Sequence, residues 1–385
     1  MKNWKKVFII IFIVLIAQTQ VYAESSENTI SSEQETLGIN TFIEESKQYT
    51  SDNDFFDGLN VKDIINKAVK GEVDNSSIYK KILNLFGKEL KETITSLVAI
   101  LAIILIHSIL RSISESLKND GVSKIIYYVQ YILIVTIIMT NISSIVNLVK
   151  ETCINLTGFM NLLVPLLITL MTYTGSIATS GLLEPIILFM INFLSNLIQD
   201  VIIPVVLIIT SLCAISKLSD EVQIEKIVKL MKSGVGWVLG ILLTIFVGVI
   251  SLEGTMSSSV DGITAKTTKA IVSTAIPVVG KVLGDAVDTV LGCGVVLKNA
   301  VGLVGIIIIL GICIVPIIKL TVITISYKIL AGVCQPIADE KIIKLLDQMG
   351  DVFKIFLAIL CSMSVMIIVG TALVVKMSNS GMMYR

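Results

Sequence analysis

The sequence predicts an all-α, polytopic membrane protein with a cleaved signal peptide and a small exported helical N-terminal segment. Hydrophobic residues make up 54% of the 385 residues, and charged residues make up only 16%. At least six mostly apolar stretches of about 17 residues or more follow one another between Thr93 and Lys376. Each is about long enough to cross a hydrocarbon core as a helix. A water-soluble domain could not bury so much apolar surface.

Residues 1–23 have the layout of a secretory signal peptide. Three lysines within the first six residues form a basic start, and an apolar core runs from Val7 to Ala17. Ala23 supplies the small residue before the predicted cleavage site. The apolar core is short for a spanning helix. The alternative is an uncleaved anchor, and in both cases we expect the chain that follows to be exported.

Residues 24–92 are predicted to form an extracytoplasmic helical segment. The part up to Ser51 is rich in serine, glutamate and threonine, and such a composition favours a loose chain. Beyond it, apolar residues recur at helical spacing in two runs, which the polar cluster at 74–77 separates. The segment is either a small solvated cap or a docking surface. In the second case Ile64 and Ile65 would contact a partner.

The transmembrane domain is predicted at 93–376, and a tail follows at 377–385. The stretch 182–215 is too long for one helix and contains Asp200 and Pro204, so we expect two short helices with a turn between them. The other predicted spans are 93–110, 125–148, 156–174, 234–252, 300–318 with an ambiguous extension to 330, and 352–375.

Basic residues concentrate in three loops that this layout places on the inner side of the membrane. The positive-inside rule then puts the N-terminal segment outside, in agreement with the signal peptide. A fold-back at 320–330 would move the C-terminus to the inner side. The basic residues of the three loops are Arg111, Lys118 and Lys124; Lys217, Lys226, Lys229 and Lys232; and Lys319, Lys328, Lys341, Lys344 and Lys354.

Small residues repeat every four positions on one predicted span, at Gly236, Gly240, Thr244 and Gly248. This spacing lets two helix backbones approach closely. We therefore predict a helix-packing face, used either within the chain or between copies in a homo-oligomer.

The segment at about 264–299 is amphipathic and rich in glycine. An apolar stripe at helical spacing lies opposite Lys281, Asp285 and Asp288. Two structures fit this pattern. An amphipathic helix in the outer interface would turn the three charges towards solvent. A re-entrant element would be buried in protein or would line a watery cavity, and the charges would then face a conduit.

Several runs in and after this segment resemble the stage III sporulation protein AE family. They are Pro277–Gly280, Gly284–Val290, Leu297–Gly302, Pro316–Leu320 and Gln335–Asp339. The ordered pattern covers about 75 residues, and the wider plan of leader, exported segment and polytopic region extends the resemblance to the whole chain.

The resemblance implies a location and a set of partners. Members of this family lie in the mother-cell membrane that surrounds the forespore. They belong to a channel complex with the other stage III A proteins and a forespore membrane partner, and the complex is needed for forespore development. The exported segment would then lie between the two membranes.

Signatures of enzyme chemistry are missing from the sequence. It has no phosphate-binding G-x-x-x-x-G-K-[ST] motif, its single histidine is His107, and its six cysteines form no close pairs. We expect no catalytic residue, cofactor or metal. The 30 basic and 30 acidic residues balance, which gives no basis for nucleic-acid binding.

Two functions are compatible with these observations. The first is a non-enzymatic membrane component of an intercellular channel complex. The second is a self-contained secondary transporter for a small solute, which would be held at helix breaks near Asp200 and Gly280. Many transporters contain inverted repeats, and the two halves of this sequence show no convincing repeat.

Overall fold

A computed structural model of the protein describes residues 37–51, 53–56, 62–65, 75–116, 120–216, 224–275 and 279–380. It does not describe some side chains within these ranges, chiefly those of 253–291. The described residues contain no strand, so the all-α prediction is confirmed. The helices are α1 (Ile39–Thr50), α2 (Asn75–Ser116), α3 (Asp120–Tyr173), α4 (Ile177–Leu197), α5 (Ile203–Ile215), α6 (Glu225–Ala275), α7 (Val279–Cys334) and α8 (Glu340–Ser380).

Six helical stretches are long and apolar enough to cross a membrane, which confirms the predicted polytopic architecture. The predicted signal peptide at 1–23 lies outside the described residues and stays a prediction. The six stretches are Lys81–Leu110, Lys124–Tyr173, Thr179–Ile215, Glu225–Leu252, Gly292–Cys334 and Glu340–Lys376.

Helix α8 lies in the middle of the bundle and packs against α3, α4, α5, α6 and α7. Its sequence places a large apolar residue on nearly every inward position, as the helical period requires. Leu346, Met349, Phe353, Phe356 and Leu360 are fully buried. The apolar core of the protein is therefore arranged around this last helix.

The long helices run antiparallel, and side-chain contacts fix which ends lie together. The Tyr131 hydroxyl donates to the Ala214 carbonyl, so the end of α5 lies beside the start of α3. Lys232 at the start of α6 donates to the Gln348 carbonyl near the start of α8, at 3.3 Å. The α2–α3, α5–α6 and α7–α8 connections therefore share one end of the bundle.

Helix α3 corrects the predicted span boundaries. The stretches 125–148 and 156–174, predicted as separate spans, belong to one continuous helix of 54 residues. The intervening sequence, Val149 to Asn155, contains no glycine or proline that would end a helix. Lys150 consequently lies in the middle of a helix, between the two stretches that were predicted as separate spans.

The break predicted within 182–215 is a π-helical turn. Residues Ile198–Ile202 join α4 to α5, and the Ile203 amide donates to the Ile198 carbonyl, five residues back. The extra residue in this turn accommodates Pro204, which has no amide proton and whose ring would collide with a preceding carbonyl in a regular α-helix. The predicted turn between two short helices is therefore wrong, because the chain stays helical.

The amphipathic segment at 264–299 is not a separate element. Residues up to Ala275 complete α6, and those from Val279 begin α7, a helix of 56 residues. The same helix continues to Cys334, so the ambiguous extension beyond 318 is helical. Helix α8 begins at Glu340, earlier than the predicted start at 352. The third inner loop therefore shrinks to 335–339.

Candidate functional site

The glycines that permit close helix packing lie on α7. A Cβ atom added at Gly302 would collide with the Val375 side chain of α8, and one added at Gly305 would lie 2.6 Å from Leu163 of α3. A larger residue at either position would therefore force the neighbouring side chain to shift. The sequence alone does not indicate this face, because these glycines do not repeat at a simple interval of four.

The packing face predicted on α6 is open in this chain. A Cβ atom added at Gly236, Gly240 or Gly248 would meet no heavy atom within 4 Å. Packing of this face within the described chain is therefore excluded, and contact between copies stays a prediction.

This open face lines a groove of about 920 Å³ between α6 and α8. Gly236, Gly240 and Thr244 form one wall of the groove. Asp351 and Lys354 lie on the other wall, so the groove combines small residues with charges.

A charged cluster ties three helices together near the shared end of the bundle. Lys328 of α7 lies 2.7 Å from Asp347 and 2.8 Å from Asp351 of α8. Lys232 of α6 lies 3.9 Å from Asp351. Exposed ion pairs contribute little stability. The cluster instead fixes the register of α6 and α7 against the start of α8.

The N-terminal segment that precedes α2 packs against the bundle itself. Phe42 and Tyr49 of α1 contact the ring of Phe159 on α3, with centroid distances of 6.0 and 5.7 Å. Asn53 donates to the Gly311 carbonyl on α7 at 3.0 Å. A Cβ atom at Gly311 would collide with the ring of Phe56, so this glycine makes room for the segment.

Of the two residues proposed for partner docking, Ile65 is 1% exposed and belongs to the hydrophobic core. Ile64 is half-buried and packs against that core. Docking through Ile65 would require it to leave the core, which leaves Ile64 as the accessible member of the pair.

Lys319 lies far from the inner boundary where the sequence predicted it. Its Nζ is 3.9 Å from Oε2 of Glu89, a side chain that is only 8% exposed. Glu89 belongs to the segment predicted to be extracytoplasmic. The two residues therefore share one level of the bundle, and each lies well inside its helix, α2 or α7.

Lys281, Asp285 and Asp288 lie in the first turns of α7. Their backbone is helical, as the sequence predicted, and their side chains lie outside the described residues. Their role at an interface or a conduit stays a prediction.

No metal-binding cluster of histidine, cysteine, aspartate or glutamate occurs among the residues that the structure describes. The six cysteines are thiols and not disulfides, and all except Cys361 are buried. Such cysteines act as small apolar residues in helix packing.

Comparison with known proteins gives the family. The family model described as stage III sporulation protein AE matches residues 59–378. The chain belongs to the stage III sporulation protein AE family. It is 29% identical over 277 residues to "Stage III sporulation protein AE" of Bacillus subtilis (strain 168), which covers 72% of this chain and 69% of the relative. No solved structure matches it. The resemblance seen in the sequence is thereby confirmed.

Proposed function

We propose that this stage III sporulation protein AE family member is a non-enzymatic membrane component of a channel complex between mother cell and forespore, needed for forespore development. The family match over residues 59–378, which covers the second half of the predicted extracytoplasmic segment and nearly all of the bundle from α2 to α8, carries this proposal. The protein would lie in the mother-cell membrane, with the other stage III A proteins and a forespore membrane partner as its neighbours.

The proposed orientation puts the exported segment between the two membranes and the α2–α3, α5–α6 and α7–α8 connections in the mother-cell cytoplasm. Lys124, Lys226, Lys341 and Lys344 lie close to these connections in the helical bundle. Their concentration at one end supports the orientation, because basic residues are enriched on the cytoplasmic side.

Co-purification tests the proposed function. The tagged chain is extracted in mild detergent from sporulating cells and from cells arrested before sporulation, and the proteins recovered with it are identified. We expect other stage III A membrane proteins to be recovered from the sporulating cells. Recovery of the chain alone, together with solute transport by the purified protein in vesicles, would contradict the proposal and favour a self-contained transporter.

The docking role of the exported segment is tested at Ile64. Ile64→Glu should reduce the recovery of partners while the protein stays in the membrane at its normal level. Glu45→Ala on the exposed face of α1 is the matched control, and it should leave recovery unchanged. Normal recovery with Ile64→Glu would contradict a docking role. Ile65 is left intact because a charge at this buried position would disturb the core.

A further inference from the structure

Helix α6 contains an uncharged stretch that matches a bilayer in length. Residues 233–252 include no charged residue, and Lys232 and Glu253 lie at the two ends of this stretch. At about 1.5 Å per residue the stretch rises about 30 Å, which is the thickness of the hydrocarbon core. Large apolar side chains point outward along it, since Trp237 and Ile241 are 72% and 52% exposed. This side of α6 therefore faces lipid, and Lys232 marks the boundary of the hydrocarbon core.

The groove between α6 and α8 opens along this uncharged stretch. Gly236, Gly240 and Thr244 form its α6 wall, and Ile355 and Ala358 lie on its α8 wall. A Cβ atom added at either glycine would meet no heavy atom within 4 Å, so side chains of this protein do not fill the groove. Its volume of about 920 Å³ lies within the range of about 300–1,000 Å³ that is usual for ligand pockets. The groove therefore has room for an apolar ligand.

The charged residues of the groove lie together at the end where α6 and α8 begin. Lys232 is 3.9 Å from Asp351. Lys328 is 2.8 Å from the same carboxylate and 2.7 Å from Asp347. Lys354, an exposed residue one turn further along α8, also lines the groove. Three lysines thus accompany two carboxylates, and this end of the groove has an excess of positive charge.

We propose that the groove binds an anionic phospholipid, with an acyl chain beside the small residues of α6 and the phosphate beside Lys232 and Lys354. An acyl chain is apolar and flexible, so it fits the uncharged walls. The phosphate balances the excess of positive charge, as it does in other basic pockets between transmembrane helices. Trp237 lies at the same end of the groove, and tryptophan is enriched at the level of lipid headgroups. The proposed site belongs to this chain alone and does not depend on the proposed channel complex.

A second copy of the chain fits the charges of this groove poorly. Copies inserted in one membrane share one orientation, so a two-fold contact through the same groove brings equivalent residues together at the same depth. Lys232 and Lys354 of each copy would then lie close to the same lysines of the other copy. Like charges brought together at an interface oppose association. A lipid phosphate at this position is instead attracted by both lysines.

Tryptophan fluorescence tests the lipid site, because Trp237 lines the groove and the sequence contains only one other tryptophan, Trp4. The full chain with Trp4→Phe is reconstituted in phosphatidylcholine vesicles in which about a tenth of the lipid is brominated. The brominated lipid is either phosphatidylglycerol or phosphatidylcholine, and bromine on an acyl chain quenches tryptophan at contact. We expect brominated phosphatidylglycerol to quench Trp237 at least about twofold more strongly, since each lysine near the phosphate favours the anionic lipid.

Two variants distinguish a bound lipid from a general attraction of lipid to a basic surface. Lys354→Gln removes a charge at the exposed end of the groove, and Gly240→Leu fills the groove while all lysines stay. Each should lower the quenching by phosphatidylglycerol to the level of phosphatidylcholine. Lys226→Gln is the matched control, because Lys226 is exposed on α6 outside the groove and its loss should leave the difference unchanged. Gel filtration checks that each variant is folded, and Lys354→Gln decides the matter if Gly240→Leu is not.

Equal quenching of Trp237 by the two brominated lipids would overturn the proposed site. A preference for phosphatidylglycerol that persists in folded Lys354→Gln and Gly240→Leu would also overturn it, because attraction to the surface would then suffice. Weak quenching by both lipids, together with a mass of two copies per detergent micelle, would show that a second copy closes the groove. None of these outcomes bears on the recovery of other stage III A proteins, so failure of the lipid site is separable from failure of the proposed function.

Discussion

At the scale of single residues, a glycine acquires its role from the atoms opposite it. Gly305 faces Leu163 so closely that a larger side chain would force Leu163 to move, whereas Gly240 faces open space. Both lie on long helices of similar composition. Spacing alone favoured Gly240, because a regular interval of four is the recognised pattern for close helix approach. Only the packed neighbour identifies Gly305 as the residue on which helix contact depends.

Gly305→Ala should lower the stability of the purified protein, and Gly240→Ala should not. Overpacking at Gly305 is expected to cost about 1–3 kcal/mol. At Gly240 the added methyl group should instead stabilise the helix by about 0.5–1 kcal/mol. Thermal unfolding in detergent measures both, and equal changes in Tm for the two variants would contradict this packing scheme.

A second residue-scale feature is the pair formed by Glu89 and Lys319. Its members are 230 positions apart in the sequence and meet at 3.9 Å. Glu89 is nearly buried while Lys319 is 39% exposed, so the lysine supplies a countercharge to a carboxylate that has lost most of its water. Removal of one member of a buried pair is costly because it leaves the other charge uncompensated.

At the scale of elements, the N-terminal segment that precedes α2 is held by a small aromatic anchor. Phe55 and Phe56 are each 4% exposed, and their rings meet edge to face with centroids 5.1 Å apart. Asp54, in the same turn, lies 2.6 Å from Lys88 of α2. The segment therefore contacts both α2 and α7, and its apolar side chains serve the internal packing of the protein.

Phe56→Ala should release this segment. A buried phenylalanine contributes about 3–5 kcal/mol relative to alanine, so we expect faster trypsin cleavage after Lys47 in the detergent-solubilised protein. Phe86→Ala on α2 is the matched control, because Phe86 is 39% exposed and its loss should change stability by about 0.5 kcal/mol or less. Unchanged cleavage in the Phe56 variant would show that the aromatic anchor does not hold the segment.

At the scale of the whole molecule, six long stretches form an antiparallel bundle with three connections at one end. The longest helix, α7, has 56 residues and extends about 84 Å at 1.5 Å per residue. A hydrocarbon core of about 30 Å covers less than half of this length. Much of the bundle therefore extends beyond the hydrocarbon core.

Cysteine labelling of intact protoplasts tests the orientation of this bundle. A cysteine at Ser51, which is exposed beside the end of α1, should react with an impermeant maleimide. A cysteine at Gln335, in the exposed turn between α7 and α8, should react only after the membrane is permeabilised. The reverse labelling pattern would invert the proposed topology. Labelling of both sites in intact protoplasts would mean that they share the outer side.

Sequence alone determined the class of this protein, because long apolar helices have few alternatives to a membrane. The family was likewise recognisable from local runs such as Leu297–Gly302. The continuity of α3 and the π turn before Pro204 could not be predicted from the sequence, because a polar residue within an apolar run is compatible with either a loop or an uninterrupted helix. Both features depend on whether neighbouring helices continue alongside, which a one-dimensional pattern does not contain.

Tertiary structure decided which surfaces are used and which are left open. It placed Gly305 and Gly311 against side chains and left Gly236 and Gly240 facing a groove. It also left Thr136, Thr140 and Ser144 on the exposed side of α3. The physical reason is the same in each case. The sequence of a helix lists the residues of all its sides. Only the packing of neighbouring helices determines which of these sides contacts protein.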